Sequence, residues 1–330
     1  MEQEIIAAIV TSVIAFFVVY LTTPFLIKDL EKRNHTVKDV FKKGNVMVVR
    51  PGGPSIIAGI LASEFGLYAF SPSNEIVAII IITSLCFLIG FIDDKKVLRG
   101  WFKPITLAFA AIPIILLGAY DSDLTFPIFG EVKIPVLYFA IIIIMIVITG
   151  NTVNSIDVMN GVASGFMTIA GFALTISLFI VQNYEIAIAS LPLGFVSLAF
   201  YKYHKFPSKI FPGDSGALAL GGMYGTIAIV GEVEIIAAVA LLPAIINSFL
   251  FLASMKKIVE HREIKAKPVI ITDDFKIKSS SDKKAPISLV RLIVSAQPLS
   301  EKQVGSVIFR LGIFSGVLAV ITAFLMVIKI

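Results

Sequence analysis

Three short segments carry side chains that hold hard cations and handle phosphates. They are GFIDDKKVLRG with Asp93 and Asp94, GNTVNSIDVMNG with Asn151, Asn154, Asp157 and Asn160, and FPGDSG with Gly213 and Asp214. Adjacent carboxylates bind a divalent cation or accept a proton, and the following Lys95, Lys96, Arg99 and Lys103 are placed to face phosphates. The second segment repeats an oxygen-bearing side chain every third residue. Continued as a helix, it gathers its amide and carboxylate oxygens on one face. In the third, Pro212-Gly213 makes a turn, and glycine lets a metal or phosphate approach the backbone closely. Each segment also has a plainer reading: a solvated helix end at Asp93-Asp94, amide caps with Asn160-Gly161 as a helix stop, and an N-cap at Asp214 or Ser215. Capping accounts for one or two of the asparagines but not for the whole stripe.

Composition sets what must position these groups. At 57% hydrophobic and 15% charged residues, with mean hydropathy +0.93, the chain has more apolar surface than a soluble core buries. A β-barrel needs strict alternation, which runs such as AIIIIMIVI lack. The expectation is an all-α polytopic membrane protein, one integral domain over residues 1–330. About ten spans are expected, at 4–27, 54–71, 75–92, 104–121, 134–152, 160–182, 185–201, 216–231, 233–254 and 305–328. The first is a retained helix, since MEQE is an acidic leader and no small-residue cleavage site follows. Cys86, the single cysteine, falls inside an apolar run and reads as a small buried side chain.

Of the 28 Lys and Arg residues, all but Lys133, Lys329 and Arg310 fall in the segments 28–53, 93–103, 202–215 and 255–304. The opposite loops carry Asp121, Asp123, Glu131, Glu185, Glu232 and Glu234. By the positive-inside rule the basic side is cytoplasmic, both termini face out, and all three chemical segments, with the short loop 153–159, lie on the cytoplasmic edge. The net charge of +5 therefore reflects topology, and no aromatic-basic pattern points to nucleic acid.

The combination resembles the polyprenyl-phosphate N-acetylhexosamine-1-phosphate transferases, over most of the chain. FIDDKKVLRGWFK is similar to that family's Asp-Asp segment with its later lysine at Lys103, NTVNSIDVMNG to its Asn-x-x-Asn-x-x-Asp segment, and FPGDSG to its Phe-x-Gly-Asp segment. KDVFKKGNVMVVRPGG resembles the first cytoplasmic loop, with Asp39 and Lys42 in matching places. Arg50-Pro51 stands where relatives often have Pro-Glu, so only those two residues carry over from this loop.

The resemblance implies attack of a polyprenyl or dolichyl phosphate oxygen on the β-phosphorus of a UDP-N-acetylhexosamine, most simply UDP-GlcNAc, with release of UMP. It implies Mg²⁺, or Mn²⁺ in its place, held by Asn154 and Asp214. Lys103 would contact the diphosphate, Asp93 and Asp94 would position or deprotonate the lipid phosphate, and Asp157 would support them. Asn151, Asn160 and Gly213 join Asp39 and Lys42 as substrate-binding positions, and His261 and Arg262 fit the family's sugar-recognition loop, in which Glu260 replaces a basic neighbour. That loop also holds the strand-like PVIITDDFKIK and the amphipathic SLVRLIV. The partners implied are the UDP-sugar, the lipid phosphate and the membrane, with a homodimer left open. The membrane is the prokaryotic plasma membrane, or the endoplasmic reticulum in a eukaryote. The alternatives are a phospho-MurNAc-pentapeptide transferase, against which the scattered His35, His204 and His261 argue, and a membrane transporter, expected to place charges or broken helices at mid-bilayer.

Overall fold

The computed structural model describes residues 2–96, 98–256, 264 and 266–328. Apolar runs become helices in the expected order. They are α1 (Glu2–Lys32), α2 (Gly53–Phe70), α3 (Asn74–Lys95), the broken pair α4 (Phe102–Ala110) and α5 (Ile112–Leu117), α6 (Pro135–Ile156), α7 (Val162–Ile180), α8 (Tyr184–His204), α9 (Gly213–Val230), the second broken pair α10 (Glu234–Ala240) and α11 (Leu242–Met255), the short α12 (Leu289–Ile293) and α13 (Glu301–Val327). Local chemistry sets several starts. Ser73 and Asn183 accept a backbone N–H at the heads of α3 and α8, and Ser300 and Gln303 form a reciprocal capping box on α13.

Among the described residues, seven helices are long and apolar enough to cross a membrane: α1, α2, α3, α6, α7, α8 and α13. The count rises to eight if α10 and α11, bent by 75° at Leu241, make one span. Pro113 and Pro243 stand in the first turns after the breaks, where the missing N–H costs nothing. The expected span at 104–121 is thus two short helices.

The all-α expectation needs one correction. Among the described residues three antiparallel two-stranded hairpins stand in the loops: β1–β2 (Thr36–Lys38, Met47–Val49), β3–β4 (Asp123–Phe126, Gly130–Lys133) and β5–β6 (Val269–Ile271, Ile277–Ser279). Only the last, inside PVIITDDFKIK, falls where a strand was expected. The SLVRLIV stretch does contain a helix, α12, capped by the Ser288 hydroxyl.

At the centre of the bundle stands α9, buried at every residue and packed mainly on α3 and α6. Small side chains permit this. A Cβ at Gly90 of α3 would lie 2.4 Å from the Asp214 carbonyl oxygen, so only glycine lets the end of α3 and the head of α9 come together. Cys86 is fully buried on the same α3 face, as expected.

Candidate active site

The helix ends that converge on α9 assemble most of the residues singled out from sequence. Asp94, at the end of α3, caps α9 from outside. Its Oδ1 accepts the Asp214 backbone N–H at 2.9 Å, and its Oδ2 accepts the Ser215 N–H at 2.9 Å and the Ser215 hydroxyl at 2.6 Å. Neither Asp214 nor Ser215 caps its own helix, which removes the plain capping reading of FPGDSG. Gly213 makes the approach feasible. It adopts φ +73°, and a Cβ there would lie 2.7 Å from Pro51 Cβ and 2.8 Å from an Asp94 carboxylate oxygen. Gly213→Ala should therefore cost about 1–3 kcal/mol of strain, seen as a lower thermal midpoint in detergent together with lost activity. An unchanged midpoint would show that the turn can move away.

Asp93 is equally buried but does different work. Its Oδ1 accepts the Leu98 N–H at 2.7 Å, while Oδ2 pairs with Lys103 Nζ at 2.7 Å. Lys103, in the first turn of α4, also reaches Asp214 Oδ2 at 3.3 Å. The side chains of both acids are 2% exposed, so the solvated-helix-end reading of Asp93-Asp94 does not hold.

Arg50 completes the cluster and was not anticipated as a site residue. Its Nε and Nη2 donate to Asp94 Oδ1 at 3.1 and 2.9 Å, and Nη2 lies 3.3 Å from Asp214 Oδ1. Backbone bonds fix its position: the Phe211 N–H donates to the Val49 carbonyl at 3.0 Å and the Gly52 N–H to the Phe211 carbonyl at 2.8 Å. The only sequence signal was a lone arginine before Pro-Gly-Gly-Pro, at a point where the family pattern was broken.

A second polar knot joins the first loop to the α6–α7 turn. Lys42 Nζ lies 3.2 Å from Asp39 and 3.3 Å from Glu301. Asn160 donates from Nδ2 to Asp39 at 3.0 Å, gives its backbone N–H to Glu301 at 3.0 Å, and accepts the Ser208 N–H. Glu301 also escaped notice, because an acid in the first turn of a helix is ordinary dipole compensation.

Asp39, Arg50, Lys103, Asn151, Asn154, Asp157, Asn160 and Asp214 all line one cavity of about 810 Å³. The stripe of four is corrected in one respect: α6 ends at Ile156, so only Asn151 and Asn154 are helical, and Asp157 and Asn160 reach the cavity from the following turn. The Asn151 amide donates back to the Val147 carbonyl at 2.8 Å. Burial pushes the Asp157 carboxyl up to about 7, against the pull of Arg50 and with the push of Asp214 and Asp94. Asp93, Asp94, Lys42 and Gly213 stand behind the wall as supports. His261 and Arg262 lie outside the described residues. Part of the lining is apolar, with Val147 and Ile148 of α6 and Ile245, Phe249 and Leu252 of α11.

The cavity thus offers carboxylate and amide oxygens, three cationic residues (Lys38, Arg50 and Lys103) and an apolar extension. That is the chemistry of a membrane-embedded site for an anionic, phosphate-bearing substrate with a lipid part. Comparison with known proteins gives the class a family: the chain belongs to glycosyl transferase family 4, whose model matches residues 76–232. A Saccharolobus solfataricus protein with the provisional name UDP-N-acetylglucosamine–dolichyl-phosphate N-acetylglucosaminephosphotransferase is 27% identical over 97% of this chain and 98% of its own. The Staphylococcus haemolyticus phospho-N-acetylmuramoyl-pentapeptide-transferase is 30% identical over 68% of this chain and 77% of its own. A Methanocaldococcus jannaschii protein provisionally named a glycosyltransferase is 28% identical over 94% and 95%. Family membership, rather than helix shape, weighs against the transporter, since the 75° break between α10 and α11 is a feature that reading expected.

Proposed function

We propose that the chain transfers N-acetylglucosamine 1-phosphate from UDP-GlcNAc to a polyprenyl phosphate of the dolichyl type and releases UMP. The observation that carries this reading is the single cavity in which Asn154, Asp157, Asp214, Lys103 and Arg50 meet an apolar α6–α11 wall. The sugar diphosphate lies among the charged side chains and the isoprenoid along the apolar one. A lipid phosphate oxygen attacks the β-phosphorus, and the bond from that phosphorus to the bridging oxygen breaks. UMP then leaves with the electron pair.

Two anions must approach each other, and the chain supplies countercharge at Lys103 and Arg50. Among the described residues no three His, Cys, Asp or Glu side chains gather as a self-sufficient metal site. Mg²⁺ does not require one, because it takes oxygen donors, keeps waters and shares substrate phosphates. The Asn154 amide and the Asp214 carboxylate fit that donor set, both on the cavity wall. Bound there, Mg²⁺ would offset phosphate charge. The proposal includes ten crossings with both termini outside, which puts the cavity on the cytoplasmic face. The lysine and arginine distribution supports this orientation.

The test is incubation of the purified protein with polyprenyl phosphate, Mg²⁺ and a panel of UDP-sugars that includes UDP-MurNAc-pentapeptide, with identification of the lipid product. UDP-GlcNAc should give a GlcNAc-diphospho-lipid and equimolar UMP. Chelation should stop turnover and added Mg²⁺ should restore it. Product from the MurNAc donor alone would move the chain to the other branch, and UMP from no donor would defeat the reading.

A further inference from the structure

His204, the last residue of α8, is wholly buried beside the cavity wall and has no part in the reaction as proposed above. Its ring packs between Phe200 and Phe211, with centroids 5.8 and 6.0 Å away. Nδ1 lies 2.9 Å from the Ser164 hydroxyl of α7. Nε2 has no hydrogen-bond partner among the described residues and stands 3.7 Å from Asp157 Oδ1. A buried polar nitrogen without a partner is costly and calls for a reason.

The tautomer follows from the neighbours. The Ser164 hydroxyl can give its hydrogen to Nδ1, which leaves the ring proton on Nε2, facing a carboxylate. With Asp157 ionised, the opposite tautomer would set a nitrogen lone pair against an anion. Asp157 needs an anchor of this kind, because it follows the end of α6 and no helix turn fixes its side chain. The charge of Arg50 draws on the same carboxylate.

We propose that His204 is a positioning residue for the transfer: from Nε2 it holds the Asp157 carboxylate in its working orientation on the cavity wall, with Ser164 fixing the ring. The gap of 3.7 Å closes to hydrogen-bond length when substrate fills the site. The kinetic part of the inference rests on the proposed reaction; the ring geometry does not.

The test uses the full chain in detergent. His204→Phe keeps the aromatic packing and removes the donor, and should lower kcat about 10–100-fold with KM for UDP-GlcNAc changed by less than about threefold. His204→Gln should recover most of the loss, and Ser164→Ala, the milder change, should cost about three- to tenfold. His204→Phe added to Asp157→Asn should cost nothing more, because both variants act through one carboxylate. Wild-type kcat in both His204→Phe and Ser164→Ala, or multiplicative effects in the double variant, would overturn the proposal. Imidazole ¹⁵N shifts provide a readout that needs no turnover. They should report a proton on Nε2 that Asp157→Asn perturbs, and a ring protonated on Nδ1 and indifferent to Asp157 would overturn the proposal even if no UDP-sugar is turned over.

Discussion

Asp214→Ala should lower UMP release by about a thousandfold or more while the protein remains folded. The asymmetry comes from how the cluster is wired. Asp214 is the carboxylate that both lines the cavity and touches the two cations, Arg50 at Oδ1 and Lys103 at Oδ2, each at 3.3 Å. Its removal leaves neither cation stranded: Lys103 keeps Asp93 at 2.7 Å and Arg50 keeps Asp94 at 2.9 Å. The fold therefore loses little, while the proposed Mg²⁺ site loses its only charged ligand. A coupled assay for UMP and a thermal midpoint in the same detergent separate the two effects. Turnover near the wild-type rate would remove Asp214 from the chemistry.

Asp94→Ala should do the reverse and damage the fold first. Five donor contacts converge on this carboxylate: the Asp214 and Ser215 N–H groups, the Ser215 hydroxyl, and two nitrogens of Arg50. Alanine would leave the head of α9 uncapped and the arginine half-paired, a loss of about 3–5 kcal/mol. Poor yield of folded protein and a sharply lower thermal midpoint are the expected results. Asp93→Ala should lower activity through Lys103 and leave the head of α9 intact. If Asp94→Ala were as stable as wild type and merely inactive, Asp94 would return to the candidates for proton transfer.

These contrasts show what one chain can reveal. Long apolar runs are read directly, because in a bilayer every backbone polar group must be paired within the segment, and the ten expected stretches all contain helix. Breaks at Ala111 and Leu241 were less visible, since proline early in a new helix looks much like proline tolerated inside a longer one. At the site, the family resemblance pointed to Asp214, Asn154 and Lys103, all of which line the cavity. It could not separate Asp93 from Asp94, whose difference is one of direction: adjacent positions on a helix point about 100° apart, one toward Lys103 and the other toward the head of α9. Arg50 stayed hidden because its importance lies in a tertiary contact with a segment some 160 residues later. Glu301, which reads as ordinary dipole compensation, likewise matters through contacts distant in sequence, with Lys42 and Asn160.

The burial of α9 also bears on how the protein is made. Among the described residues, the seven helices that are long and apolar enough to cross a membrane do not include it, and its head begins Gly-Asp-Ser-Gly. Such a segment gains little by entering lipid alone. Its insertion must be driven by surfaces already in the membrane, above all α3 and α6, which precede it in the chain and pack against it. A ribosome-bound chain stopped far enough beyond Val230 for α9 to clear the ribosome should hold α9 across the bilayer only when both those helices are present, so the step that builds the proposed catalytic centre is also the step most exposed to quality control during synthesis.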